Sequence, residues 1–146
     1  MSKLSRLYDD VVMDHIKNVR NFGQLADAHR SAEGVNALCG DGMIVYVKLS
    51  AEAIDVASFK CECCGISMAS ASIMTEAVSG KPLAEVHVLR QAVVAALDGD
   101  EDELGDWQGG RAIVEAVRAY PSRRRCALLP WETLAAALAG EEQARI

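Results

Sequence analysis

The sequence predicts an α+β fold: a small antiparallel three-stranded sheet covered by about five helices. Three observations carry that expectation. β-Branched segments are confined to the first half of the chain, a run of helical patterns follows them, and turn residues mark the junctions.

Leu7, Val11, Val12 and Ile16 recur at helical spacing behind a Ser5 cap, which predicts an opening helix over residues 5–17. Residues 18–29 read as loop. Residues 43–49 and 54–59 are rich in β-branched side chains and partly alternate, with Ser50 to Ala53 between them, the pattern of a hairpin. Residues 31–38 supply the third strand. After Cys64 the texture changes to ISMASASIMTEAVSG, a helix of small residues that lets its neighbours approach closely and ends at Gly80 and Pro82. A long helix over 83–97 runs into the acidic, solvated loop DGDEDELGD, and another helix over 109–120 stops at Pro121. The last helix is expected to begin near Cys126 to Pro130, with Pro130 in its first turn and Trp131, Leu134 and Leu138 along one face. With no repeats, low-complexity tracts or linkers, one domain over 1–146 is expected.

A chain of 146 residues buries enough surface for a core without disulfides or a structural metal, so a metal would be there for chemistry. The net charge of -6 and the pI of about 5.0 argue against a nucleic-acid partner; only Arg123, Arg124 and Arg125 form a basic cluster. No apolar run approaches the roughly eighteen residues needed to span a bilayer. The opening MSKLSRLYDDVVMDHIKN lacks a secretory pattern, so no membrane association and a cytoplasmic location are expected. Five cysteines without a signal peptide point away from a disulfide framework and toward metal binding or thiol chemistry.

Cys39 and Asp41 form a C-x-D element in a turn, where Gly40 and Gly42 let the backbone fold sharply enough to aim two side chains at one point. Cys64 and Cys126 each precede a predicted helix, Cys126 directly behind the three arginines, and both thiols are expected to have a lowered pKa. Ionising an ordinary cysteine at neutral pH costs roughly 2 kcal/mol, whereas zinc on thiolate-rich peptides contributes on the order of 10 kcal/mol, so metal wins over the proton. Cys39, Asp41, Cys64 and Cys126 make a tetrahedral set suited to zinc, and the same set could hold an iron-sulfur cluster; ligand type alone does not choose. Any one of the five cysteines taken singly is more readily a small buried hydrophobe, and it is their combination that points to a site. His15 is expected to pack or hydrogen-bond and His29 and His87 to lie on the surface. Trp107 and Trp131 read as core or cap residues, and Met68 and Met74 as packing.

At these residues the sequence resembles the U-type scaffold family, the SufU, IscU and NifU N-terminal proteins. The match runs through LYDDVVMDHIKNVRN, NALCGD at Cys39, FKCECCGISMASASIMTEAVSGK around Cys64 and RCALLPWETLAAAL around Cys126. The 61 residues between Cys64 and Cys126, and Arg125 where IscU-type members carry histidine, resemble the SufU branch. That branch implies a zinc-dependent sulfur acceptor, an enzyme-like carrier working with a cysteine desulfurase (SufS-like) and with downstream iron-sulfur assembly proteins. The resemblance makes Cys39 the thiol that takes the persulfide sulfur, with zinc held by Cys39, Asp41, Cys64 and Cys126. Docking on the desulfurase would exchange Cys39 for a partner ligand. Arg123 matches a family arginine that would orient Asp41 or stabilise thiolate charge.

Cys61 and Cys63 stand where SufU-like proteins usually have glycine, Ala37 and Val19 replace family prolines, and Gly65 follows the matched cysteine. If those glycines need positive φ, the loop must differ or bear strain. Alternation puts Cys61 and Cys63 on one face with Phe59, where they could relay sulfur, ligate a cluster, bind a soft metal or be tolerated drift. Two further functions therefore stand beside the sulfurtransferase. One is a [2Fe-2S] assembly scaffold, favoured if Cys61 or Cys63 joins the ligand set; the other is a soft-metal binding protein using Cys61, Cys63 and Cys64.

Overall fold

The computed structural model describes residues 3–100 and 102–146. In chain order the elements are α1 (Lys3–Lys17), β1 (Arg30–Asn36), β2 (Asp41–Ser50), β3 (Ala53–Glu62), α2 (Gly65–Val78), α3 (Leu83–Leu97), α4 (Gln108–Ala119), α5 (Arg124–Leu138) and β4 (Gln143–Arg145). The α+β class and the helical run hold. Because α1 already includes Ser5, that residue does not precede the helix as its cap.

The sheet has four strands in the order β3-β2-β1-β4 rather than three. β1, β2 and β3 pair antiparallel, but β4 joins β1 in parallel, Glu33 opposite Gln143 and Val35 opposite Arg145. A three-residue edge strand reading QAR, with no buried residue, carries neither apolar alternation nor a β-branched run, so nothing in its sequence announces it.

One face of the sheet is the floor of the core. Met43, Val45 and Val47 of β2 and Ile54, Ala57 and Phe59 of β3 are at most 2% exposed; a register shift between Lys48 and Leu49 sets the relative phase of the two strands. Phe22 stacks edge-on against Phe59, and Trp107, at the N-cap of α4, stacks edge-on against the buried Trp131 of α5. Each fully buried large apolar side chain contributes roughly 1.5–3 kcal/mol. The small residues of α2 act as expected: Ser67, Ala69, Ser70, Ala71 and Ser72 are buried, and the helix packs against α1, α4, α5 and β3 at once.

Pro130 departs from expectation. α5 starts at Arg124, so Pro130 lies within the helix, not in its first turn. Proline has no N–H, so the carbonyl four residues earlier, that of Cys126, loses its helical donor. Ser67 of α2 supplies the replacement, its Oγ lying 3.0 Å from the Cys126 oxygen, while Ser70 Oγ donates to the Ala127 carbonyl at 2.6 Å. Two hydroxyls of a small-residue helix thus satisfy the carbonyls of the interrupted turn and lock α2 to α5 beside Cys126.

β1 and α5 meet just as closely. A Cβ on Gly34 would lie 1.9 Å from Thr133 Oγ1 and 3.1 Å from Leu129 Cδ1. Thr133 is fully buried and donates to the Leu129 carbonyl, so it has no room to yield. Gly34→Ala is therefore expected to destabilise the protein by about 1–3 kcal/mol, read as a lower urea midpoint at an unchanged slope. An unchanged midpoint would mean that the β1–α5 contact tolerates a methyl group.

Candidate metal centre

Cys39 sits in the turn of residues 37–40 that joins β1 to β2, closed at its base by the pairing of Asn36 with Asp41. Asn36 is buried, its Oδ1 accepts from the Leu38 N–H at 3.2 Å, and its carbonyl accepts from the Gly40 N–H at 2.9 Å. Gly40 takes φ 73, a conformation glycine adopts without cost, as the C-x-D reading expects. The turn leaves Cys39 exposed and Asp41, the first residue of β2, 7% exposed.

Cys126 arrives from the other end of the chain, third in α5 and 1% exposed. Its Sγ lies 3.7 Å from Cys39 Sγ. The ligand atoms of Cys39, Asp41 and Cys126 all lie within 4.8 Å of one another. The fourth predicted ligand, Cys64, borders this group without joining that cluster. It is the N-cap of α2, its Sγ accepting from the Ser67 N–H at 3.4 Å, and its own N–H reaches Asp41 Oδ1 at 3.2 Å.

Ser67 is the residue that sequence reasoning passed over. Its Oγ is 2.8 Å from Asp41 Oδ2, 3.0 Å from the Cys126 carbonyl and 3.6 Å from Cys64 Sγ. One hydroxyl therefore touches three of the four proposed ligand residues, its single proton shared between two acceptors. The available signal was positional: Ser67 stands three residues after the capping Cys64, where a side chain turns back to the helix start.

Burial alone would raise the Asp41 carboxyl, but hydrogen bonds from Ser67 and from the Cys39, Cys64 and Cys126 thiols outweigh it and hold the group below the usual carboxylate range. The Cys126 thiol goes the other way. Burial first, and then hydrogen bonding and charge at Cys64, push it up to about 12. The expectation of a lowered pKa fails for Cys126, because the residue, although in the first turn of α5, is buried in a thiol-rich interior. Arg123, exposed in the turn ahead of α5, opposes that shift: a hydrogen bond to Cys126 and the charge available on Cys64, Cys126 and Cys39 raise its own pKa.

The donor set fits zinc. Tetrahedral coordination with zinc–sulfur bonds of about 2.3 Å sets two ligand sulfurs about 3.8 Å apart, and Cys39 and Cys126 are at 3.7 Å. A buried thiol whose ionisation is opposed by its surroundings, beside a carboxylate held ionised, gains most from a cation between them.

Cys61 and Cys63 form a disulfide, so in this state neither is free to join Cys64 on a soft metal or to extend a cluster's ligand set. Among the described residues this local crosslink is the one disulfide, in a chain whose cysteines point away from a disulfide framework. Neither residue has positive φ; among described non-glycine residues only Asn21 and Ala51 do, so the anticipated backbone strain is absent. His15 is buried with Nδ1 2.7 Å from Ser72 Oγ, while His29 and His87 are exposed. Met74 is fully buried and Met68 packs against the core. Arg124 pairs with Asp98, which takes it out of any basic patch. No described helix is long and apolar enough to cross a membrane.

A family model, the NifU-like N-terminal domain, matches residues 7–127. The chain is 36% identical over 141 residues to the zinc-dependent sulfurtransferase SufU of Bacillus subtilis, covering 97% of this chain and 95% of that protein. It is 34% identical over 138 residues to the iron-sulfur cluster assembly scaffold protein IscU of Streptococcus pyogenes, covering 94% and 86%. A crystal structure from Fervidobacterium islandicum, of a protein proposed as an iron-sulfur cluster assembly scaffold for the SUF system, superposes with a TM-score of 0.78 at 33% identity, over 91% of this chain and 97% of that one.

Ser67→Ala is expected to weaken zinc binding about 10–100-fold, the usual cost of losing a group that orients a ligand, measured by competition with a chromogenic chelator; unchanged affinity would reduce Ser67 to a packing residue. Because zinc must displace a proton from Cys126, apparent affinity should rise about tenfold per pH unit for each proton released near neutrality. Titrations at several pH values check this, and a flat profile would contradict it.

Proposed function

We propose, for a chain that belongs to the NifU-like N-terminal domain family, a zinc-dependent sulfur acceptor in iron-sulfur cluster biogenesis. In this reading a single domain takes persulfide sulfur from a cysteine desulfurase onto Cys39. The observation that carries it is an asymmetry among the three free thiols. Cys39 alone is exposed, on a turn, yet its sulfur lies 3.7 Å from the buried Cys126. The 36% identity to a zinc-dependent sulfurtransferase over 97% of the chain supports the same reading.

Zinc, when bound, would be held by Cys39, Asp41, Cys64 and Cys126 and would keep the thiols ionised at neutral pH. Each residue then has a distinct part. Asp41 and Cys126 are buried and bonded to Ser67, so they stay. Cys39 is exposed on its turn and can reach outward. Its thiolate attacks the terminal sulfur of the desulfurase persulfide; a new sulfur–sulfur bond forms on Cys39, the old one breaks, and the desulfurase cysteine leaves as a thiolate. Arg123 supplies positive charge beside the sulfurs through which negative charge passes.

The iron-sulfur scaffold is the second reading, favoured by the 34% identity to a scaffold protein and by a thiolate-rich donor set that accepts either cargo. Anaerobic purification followed by metal analysis, visible absorption and a desulfurase assay separates the two. Stoichiometric zinc, a colourless sample and stimulation abolished by Cys39→Ser is the expected result. A stable brown protein that stimulates no desulfurase would replace the first reading with the second. Arg123→Gln should slow sulfur transfer about tenfold, about 1.4 kcal/mol in the barrier, with zinc content unchanged; an unaltered rate would remove Arg123 from the chemistry.

A further inference from the structure

The Cys61–Cys63 pair lies outside the proposed ligand set, and its position is informative. β3 runs beside β2 with Cys61 opposite Met43 and Glu62 opposite Gly42. β3 ends there, and Cys63 lies in the short link between β3 and α2. Cys63 also directly precedes Cys64, whose N–H is bonded to Asp41. Cys63 is thus next in sequence to a residue bonded to Asp41, and Asp41 clusters with Cys39 and Cys126.

Two further properties separate this pair from a structural crosslink. A bridge between residues two apart closes a minimal loop and removes little freedom from the unfolded chain, so it offers the fold little stability. Both cysteines are half-buried, not sealed in the core, and so remain open to exchange. Two such sulfurs, bonded to each other just ahead of Cys64, form a dithiol–disulfide couple.

We propose that Cys61 and Cys63 are a built-in reductant that discharges the sulfur carried by Cys39 as sulfide, an inference that rests on Cys39 accepting persulfide sulfur. The Cys63 thiolate, next in sequence to Cys64, attacks the terminal sulfur of the Cys39 persulfide. A bond forms between Cys63 and that sulfur, the bond to Cys39 breaks, and Cys39 leaves as a thiolate. The Cys61 thiolate then attacks Cys63 Sγ, closing the Cys61–Cys63 disulfide and expelling hydrosulfide. The transferred sulfur gains two electrons, and the two thiols lose them. The disulfide in this structure is the oxidised, discharged end of that cycle. An external dithiol reductant returns the pair to its starting state. The chain thereby becomes a persulfide reductase that releases the sulfide it receives, where a single-thiol carrier needs a second protein or free thiol for that step.

The test is a single turnover on the full-length, zinc-loaded protein. The Cys61–Cys63 pair is reduced beforehand, small thiols are removed, and sulfur is supplied by a cysteine desulfurase with limiting free cysteine. Sulfide is quantified, and the sulfur on each cysteine is located by mass spectrometry. The reduced wild type should release one sulfide per chain and end with Cys61 joined to Cys63 and Cys39 bare. The C61S/C63S variant should retain the extra sulfur on Cys39 and release about tenfold less sulfide. C61S alone should hold the sulfur on Cys63, a trapped intermediate that a merely structural pair would not produce. Sulfur retained on Cys39 in the reduced wild type, or equal sulfide release from wild type and C61S/C63S, would overturn the inference and leave the acceptor reading intact. No sulfur on Cys39 in C61S/C63S would sink the acceptor reading and this inference with it.

Discussion

Two sulfurs separated by 87 positions in the chain lie 3.7 Å apart, and the rest of the architecture serves that contact. Cys39 is delivered by a turn that Asn36 braces, and Cys126 by a helix that carries Pro130 within it. The two meet because Gly34 lets α5 rest against β1 without a side chain between them, and because Ser67 bonds to both Asp41 and the Cys126 carbonyl. Arg90, whose guanidinium reaches both carboxylate oxygens of Glu132 at 2.7 and 2.9 Å, clamps α3 to the far side of α5. Packing, a proline within a helix and one shared hydroxyl converge on a spacing suited to a tetrahedral cation.

The centre is rigid on one side and loose on the other. Asp41 and Cys126 are buried and fixed by hydrogen bonds, whereas Cys39 is exposed and Leu38 beside it is 76% exposed. A site meant only to hold a metal gains from enclosing every ligand. A site with one ligand on an open turn suits a group that must meet a partner, which is why the proposed transfer assigns Cys39 the reacting role. Its charge balance fits that division: the carboxylate stays ionised through its donors, while the buried thiol resists ionisation until a cation arrives.

How much of this was legible in the sequence follows from which interactions are local. The helices and the hairpin could be read because apolar periodicity reports a buried face, and the Cys39 turn because its glycines report a sharp bend. The convergence of Cys39, Asp41 and Cys126 was also readable, through the combination of a C-x-D turn with two cysteines at predicted helix starts, although the other of the two, Cys64, borders the cluster without joining it. What escaped was set by tertiary partners. Pro130 was expected in a first turn because its missing N–H is harmless there; α2 supplies the compensation, through hydroxyls that look like ordinary small residues in sequence. β4 pairs through its backbone and leaves no side-chain pattern. The Cys126 thiol was expected to ionise easily from its place in the chain, and its burial reverses the direction. Cys61 and Cys63 were recognised as departures from family glycines, but their bond to each other was not foreseen.

X-ray absorption at the zinc edge of the purified protein tests the central claim most directly, because it counts ligand atoms around the ion itself. The account predicts three sulfurs at about 2.3 Å and one oxygen at about 2.0 Å, with Cys126→Ser lowering the sulfur count by one. A shell of nitrogen and oxygen alone, or a sulfur count that Cys126→Ser leaves unchanged, would contradict it.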